Sequence, residues 1–191
     1  PPRSTLFPYT TLFRSKYSFK KKYGIETDLQ ATKDNQLICF HDFNLRRKFN
    51  LNKNVKDINY YSLKKISKKR KATVPLLKDL LKISKNRYPL LLEIKPLLTK
   101  QSLLGLIKLI KKTKKYGIFS FKEKNLINLY KLNKKLPLGL LFLSTSNLRT
   151  IKSKSKKPYV KFLGLEKSFL SSRKIDLIKK PIYYYTIKNK N

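Results

Sequence analysis

The sequence predicts an α/β fold built on a parallel sheet with crossover helices. Two observations carry that prediction. From Tyr88 onward, short apolar runs of strand length alternate with segments of helical spacing, the pattern of parallel strands joined by helices. In addition, hydrophobic residues make up 40% of the chain and aromatics 12%, enough to bury a core rather than leave the chain disordered.

The elements follow in order. Tyr23 to Gln30 (YGIETDLQ) is an apolar-led strand with polar residues interleaved, and Thr32-Lys33-Asp34-Asn35 is a turn, since Asp and Asn tolerate left-handed backbone. Leu37 to Phe40 is a second strand ending at His41-Asp42. Asn44 to Asn59, rich in Lys and Asn, reads as loop. Leu76 to Ile83 has helical spacing, with Pro75 suited to its first turn. Strands are then expected at Tyr88 to Ile94, Tyr116 to Phe121, Leu138 to Leu143, Tyr159 to Leu163 and Ile182 to Ile187. Helices are expected at Gln101 to Lys112, Asn125 to Leu132, Asn147 to Lys152 and Ser171 to Ile178. No internal repeat and no linker interrupts this series, and no uncharged apolar run reaches the ~18 residues of a membrane span.

The net charge is +37, from 47 Lys and Arg against 10 Asp and Glu. Such an excess ordinarily points to a polyanion. Here the cations are nearly all Lys and spread evenly, while Ile, Asn, Tyr and Phe abound and Ala31 and Ala72 are the only alanines. That bias follows AT-rich codons, so we attribute the charge to base composition. A nucleic-acid-binding protein would show clustered cations or aromatics set for stacking, whereas these aromatics lie mostly on apolar strands. No specific nucleic-acid partner is expected. The single cysteine, Cys39, sits in the apolar run LICF and reads as a buried structural thiol suited to a reducing compartment.

Residues 1–15 (PPRSTLFPYTTLFRS) differ in character from the rest and contain no Lys. They back-translate, codon for codon, to a common short-read sequencing adapter. They are expected to be a non-native tail, with the domain occupying residues 16–191.

With so few acids, their placement is informative. Glu26 and Asp28 lie two apart on a strand and so share a face. Glu93 ends another strand, where parallel α/β folds place their active sites. Three hard oxygen ligands suit Mg²⁺ or Ca²⁺ better than zinc. On spacing alone these carboxylates also read as ordinary partners of the surrounding lysines. The hairpin can be paired in more than one way. A two-residue loop sets Asp28 opposite His41 and a four-residue loop sets Glu26 there. Both put the only histidine on the acids' face, whereas a three-residue loop puts it on the other. A histidine at that strand end can act as general acid or base.

The string YGIETDLQATKDNQLICFHDFNL, followed by VPLLKDLLK and LLLEIKP, resembles the glycerophosphodiester phosphodiesterase family. That family shows a Glu-x-Asp strand, a Thr-Lys-Asp turn, a strand ending in His-Asp and a Glu-Ile-Lys strand, in this order. SFKEKNL, LPLGLLF and PIYYYTIKN resemble its later segments. The resemblance implies a (β/α)₈ TIM barrel, here incomplete and lacking its first and last strands. It implies divalent-cation-dependent hydrolysis of glycerophosphodiesters to glycerol 3-phosphate and an alcohol. Glu26, Asp28 and Glu93 match the metal ligands, His41 one of two catalytic histidines, and Lys95 a basic residue near the phosphate. The family's His-Arg-Gly and Pro-Glu-Asn-Thr segments have no counterpart here. The expected partner is a small glycerophosphodiester; a lysophospholipid-type substrate is the alternative. The compact insert between His41 and Pro75 resembles the cytosolic bacterial type, so a cytoplasmic protein is expected.

Overall fold

A computed structural model describes residues 11–70, 72–172, 175 and 177–185. The chain divides into two compact units, Pro1–Tyr116 and Gly117–Asn191, the boundary falling inside a strand rather than in a linker. Each is described by itself.

The first unit begins with helix α1 (Thr11–Lys20), which runs across the expected boundary between Ser15 and Lys16. Strand β1 (Ile25–Ala31) follows and forms a hairpin with β2 (Leu37–Cys39). In this ladder Leu29 faces Cys39 and Ala31 faces Leu37, and Thr32 closes it by donating its N–H to the Gln36 carbonyl. The register is therefore that of a three-residue loop, and neither pairing that places His41 directly opposite an acid occurs. Asn35 takes the left-handed conformation (φ 57°) that closes such a loop. Asp34 Oδ1 accepts the Tyr60 N–H at 2.9 Å, at the start of a helix. Asn35 Oδ1 accepts from the hydroxyls of Thr99 and Ser102 at 3.0 and 2.7 Å, at the start of another. The turn residues thus fasten the hairpin to two helix N-termini, Asp34 through a backbone amide that lacks an intrahelical partner and Asn35 through side-chain hydroxyls.

The stretch from Asn44 to Asn59 is not a plain loop. It contains α2 (Arg46–Phe49) and a 3₁₀ turn (Val55–Asp57), followed by α3 (Tyr60–Lys69), a helix the sequence pattern did not reveal. Leu45, Phe49, Val55 and Leu63 pack with Ile38 and Phe40 into a core of their own, the Phe40 and Phe49 rings stacked with centroids 6.1 Å apart. Helix α4 (Leu77–Ser84) has Leu76 at its N-cap, so Pro75 stands just outside the first turn rather than in it. Strand β3 (Leu90–Ile94) pairs parallel to β1, and α5 (Lys100–Ile110) is capped by the Thr99 hydroxyl, which accepts from the Ser102 N–H.

The second unit is a parallel series, β4 (Tyr116–Ser120), β5 (Leu138–Phe142), β6 (Phe162–Glu166) and β7 (Ile182–Tyr185), each paired to the next. Helix α6 (Glu123–Leu132) joins the first two strands and α7 (Leu148–Ser155) the next two. Every residue of β5 is buried, as expected of a parallel strand covered on both faces. Strand β6 lies three residues later than the apolar run suggested. The helix expected over Ser171 to Ile178 is replaced at its start by a 3₁₀ helix, Lys167–Ser171; residues 173, 174 and 176 of that range, and the end of the last expected strand, lie outside the described residues. Among the described residues no helix is long and apolar enough to cross a membrane.

Candidate active site

The site lies within the first unit and is built by the pairing of β1 with β3. Parallel register sets Asp28 directly beside Glu93, and Glu26 lies two residues earlier on β1, on the same face. One carboxylate oxygen from each of Glu26, Asp28 and Glu93 lies within 4.8 Å of the other two. Lys95 shares the face of Glu93, and its ammonium sits 3.4 Å from Asp28 Oδ1 and 3.7 Å from Glu93 Oε1.

Three acids this close disfavour full ionisation. Glu26 retains contact with solvent, yet partial desolvation and then the charges of Asp28 and Glu93 push its carboxyl up to about 8, against the opposing pull of Lys95. The neighbouring charges alone demand that direction. Glu93 is likewise raised, chiefly by burial, with Lys95 opposing and Asp28 adding to the rise. The donor set fits a hard divalent cation: ligands ~2.0–2.6 Å from one ion lie no further apart than about 4.0–5.2 Å, and the spacing of up to 4.8 Å is within that limit at the longer, Ca²⁺-like distances.

His41 follows β2. The Phe40 N–H still donates to the Asp28 carbonyl at 2.9 Å, and beyond it the ladder ends, so the hairpin register no longer dictates the histidine's side. The imidazole is 65% exposed, and its charge, when present, is one of the lesser influences that lower the Glu93 carboxyl. Its Nδ1 lies 2.8 Å from Asp42 Oδ1. Arg47 grips the same carboxylate with both ends of its fork, Nε to Oδ2 and Nη2 to Oδ1, each at 2.7 Å. That grip, against a burial penalty and with help from His41, holds the Asp42 carboxyl down at about 2. Gln30, 3% exposed, donates from Nε2 to the Phe40 carbonyl at 3.1 Å and to the Asp42 carbonyl.

The sequence reading singled out Glu26, Asp28, His41, Glu93 and Lys95; the three acids converge, Lys95 lies against Asp28 and Glu93, and His41 contacts Asp42. That reading missed Gln30, Asp42 and Arg47. Gln30 could have been found, because it continues the Glu26–Asp28 face by one more alternation; no spacing rule marks Arg47. Cys39 is buried, and burial pushes its thiol up to about 12, leaving it unreactive.

Asp42 yields a pH prediction. A carboxyl whose folded value is depressed stabilises the fold above its ordinary range and loses that contribution as pH falls through the folded value. The advantage of the wild type over Asp42→Asn in urea midpoint should therefore be complete above about pH 4 and vanish as the pH approaches about 2. A difference that persists unchanged at the acid end would contradict the assigned grip.

Adjacent parallel strands that bring three carboxylates together define an α/β protein with a candidate divalent-cation site. The chain belongs to the glycerophosphoryl diester phosphodiesterase family, whose match spans residues 13–181, and is thus a phosphoric diester hydrolase. It is 27% identical over 172 residues to a glycerophosphodiester phosphodiesterase of Bacillus altitudinis, covering 80% of this chain and 70% of that protein. Its fold resembles an Oleispira antarctica phosphodiesterase solved with the product sn-glycerol-3-phosphate (TM-score 0.79, 17% identity, 92% of this chain and 77% of that one). A glycerophosphodiester phosphodiesterase from Parabacteroides distasonis is also similar (TM-score 0.71, 19% identity, 92% and 78%). These likenesses show the α/β fold of the barrel relatives.

Proposed function

We propose that residues 16–191 are the larger part of a metal-dependent glycerophosphodiester phosphodiesterase that releases glycerol 3-phosphate and an alcohol, residues 1–15 being adapter-derived. The observation that carries the reading is the register placing Asp28 beside Glu93, with Glu26 within 4.8 Å, in a chain that belongs to this family. The family match begins at residue 13 and α1 at Thr11, so the division at Lys16 rests on the back-translation. A cytoplasmic location rests on the compact insert between His41 and Pro75.

Glu26, Asp28 and Glu93 would hold Mg²⁺ or Ca²⁺, which when bound supplies positive charge to the phosphate oxygens. Lys95 offers its ammonium to the same phosphate. His41 exchanges a proton with the attacking hydroxyl or the departing alkoxide, and a second histidine, on the strand preceding residue 16 in the intact gene, serves the other oxygen. This chain by itself is then nearly inactive.

The test is a coupled assay for glycerol 3-phosphate, using a gene restored at both ends, glycerophosphocholine as substrate, and Mg²⁺, Ca²⁺ or chelator. Turnover that requires a divalent ion is expected; turnover indifferent to chelation would remove the metal from the reading. Phe43 and Leu97, each 53% exposed and two residues beyond His41 and Lys95, favour an alcohol with an apolar part. Faster release from lysophosphatidylcholine than from glycerophosphocholine would select the lysophospholipid reading.

A further inference from the structure

We propose that Gln30 and Arg47 are positioning residues that seat His41, Arg47 acting through Asp42 to hold the imidazole in its Nδ1–H tautomer so that Nε2 is the nitrogen that exchanges protons. The inference rests on the phosphodiesterase reading for what His41 does, and on contacts for how it is held.

An imidazole free in water prefers its proton on Nε2, so the opposite tautomer needs an acceptor fixed at Nδ1. Asp42 supplies one: an ionised carboxylate can only accept, so the 2.8 Å contact makes Nδ1 the donor. A carboxylate on a neighbouring residue would ordinarily rotate away into solvent. Arg47 prevents this by binding both of its oxygens at 2.7 Å, the bidentate geometry that a lysine cannot reproduce.

Gln30 addresses the backbone. Its Nε2 reaches the carbonyls of Phe40 and Asp42, the residues on either side of His41. A single buried amide therefore ties down both ends of the histidine's own backbone segment, just where the β2 ladder stops. Gln30, Asp28 and Glu26 project from one face of β1, so the strand that carries two of the acids also anchors the proton-transfer group. Misplacement of a catalytic group by about 1 Å can cost on the order of 100-fold in rate, which is the gain available from such a seat.

His41 is the only histidine in the chain, so ¹⁵N-histidine labelling of the 191-residue protein gives one pair of ring-nitrogen signals. The expected spectrum of the neutral ring has Nδ1 at the protonated position and Nε2 at the unprotonated one. Arg47→Met should shift the pair toward the Nε2–H form, and Arg47→Lys should do so only in part. Arg47 is 64% exposed, so these replacements leave the fold standing. Gln30→Met should broaden the same signals by releasing the backbone. In the restored gene, Arg47→Met should lower kcat by up to about 100-fold with little change in KM. A wild-type ring already in the Nε2–H form, or an Arg47→Met spectrum identical to wild type, would overturn the inference and leave the phosphodiesterase reading intact. Full turnover by His41→Gln in the restored gene would instead overturn the role of His41, whatever its tautomer.

Discussion

Glu26→Gln in a gene restored at both ends should reduce metal-dependent hydrolysis of glycerophosphocholine by at least about 10²–10³-fold, the loss typical when a charge that stabilises the transition state is removed. The substitution keeps the shape of the side chain and deletes one of three mutually repelling carboxylates within 4.8 Å of one another. The metal-free variant should melt no lower than the wild type at neutral pH, because a carboxyl pushed up to about 8 is already largely neutral there and Gln replaces it without loss of charge. Chelation of the wild type should reproduce the variant's residual rate, and chelation of the variant should remove nothing more. A variant that keeps its turnover while still responding to chelator would move the cation away from Glu26.

The 191-residue chain should turn over the same substrate about 10²–10⁴-fold more slowly than the restored gene, the usual effect of losing one proton-transfer group. The surrounding lysines draw an anionic diester towards the protein, yet attraction raises encounter rates without supplying an acid or a base. Measuring both proteins side by side with Mg²⁺ and with Ca²⁺ separates the two effects, since added salt weakens attraction but does not restore chemistry. Equal rates would mean that His41 and the three carboxylates suffice, and the two-histidine scheme would fall.

Much of the acidic cluster was legible because strand alternation is rigid: Glu26 and Asp28 cannot avoid sharing a face, and Glu93 needed only a parallel partner. The histidine's position was not legible from pairing. The hairpin takes the three-residue loop that a left-handed Asn35 permits, and β2 ends before His41, so pairing does not fix the side the histidine takes. Helix α3 was hidden by its composition, YYSLKKISKK, in which Leu63 and Ile66 are the only aliphatic residues. Tyr60, Leu63 and Ile66 recur at helical spacing and face the core, but two aliphatic residues among four lysines are a faint signal. Strand β6 was expected to end at Leu163 but runs on to Glu166. A Cβ at Gly164 would lie 2.3 Å from Leu141 Cδ2, so the glycine leaves room for a side chain of the neighbouring strand, and the strand continues through it.

The ammonium of Lys95, lying between Asp28 and Glu93, sets the terms on which any ion can enter. An incoming cation must exchange with a charge already in place. Sodium or potassium brings no more charge than the lysine it would evict, and gives up its water for nothing. A divalent ion brings twice the charge to the same oxygens and frees the lysine to turn towards an anion. In the role proposed for it, the cluster would work as an ion exchanger preloaded with its own counter-ion, favouring a doubly charged ion over the abundant monovalent salts.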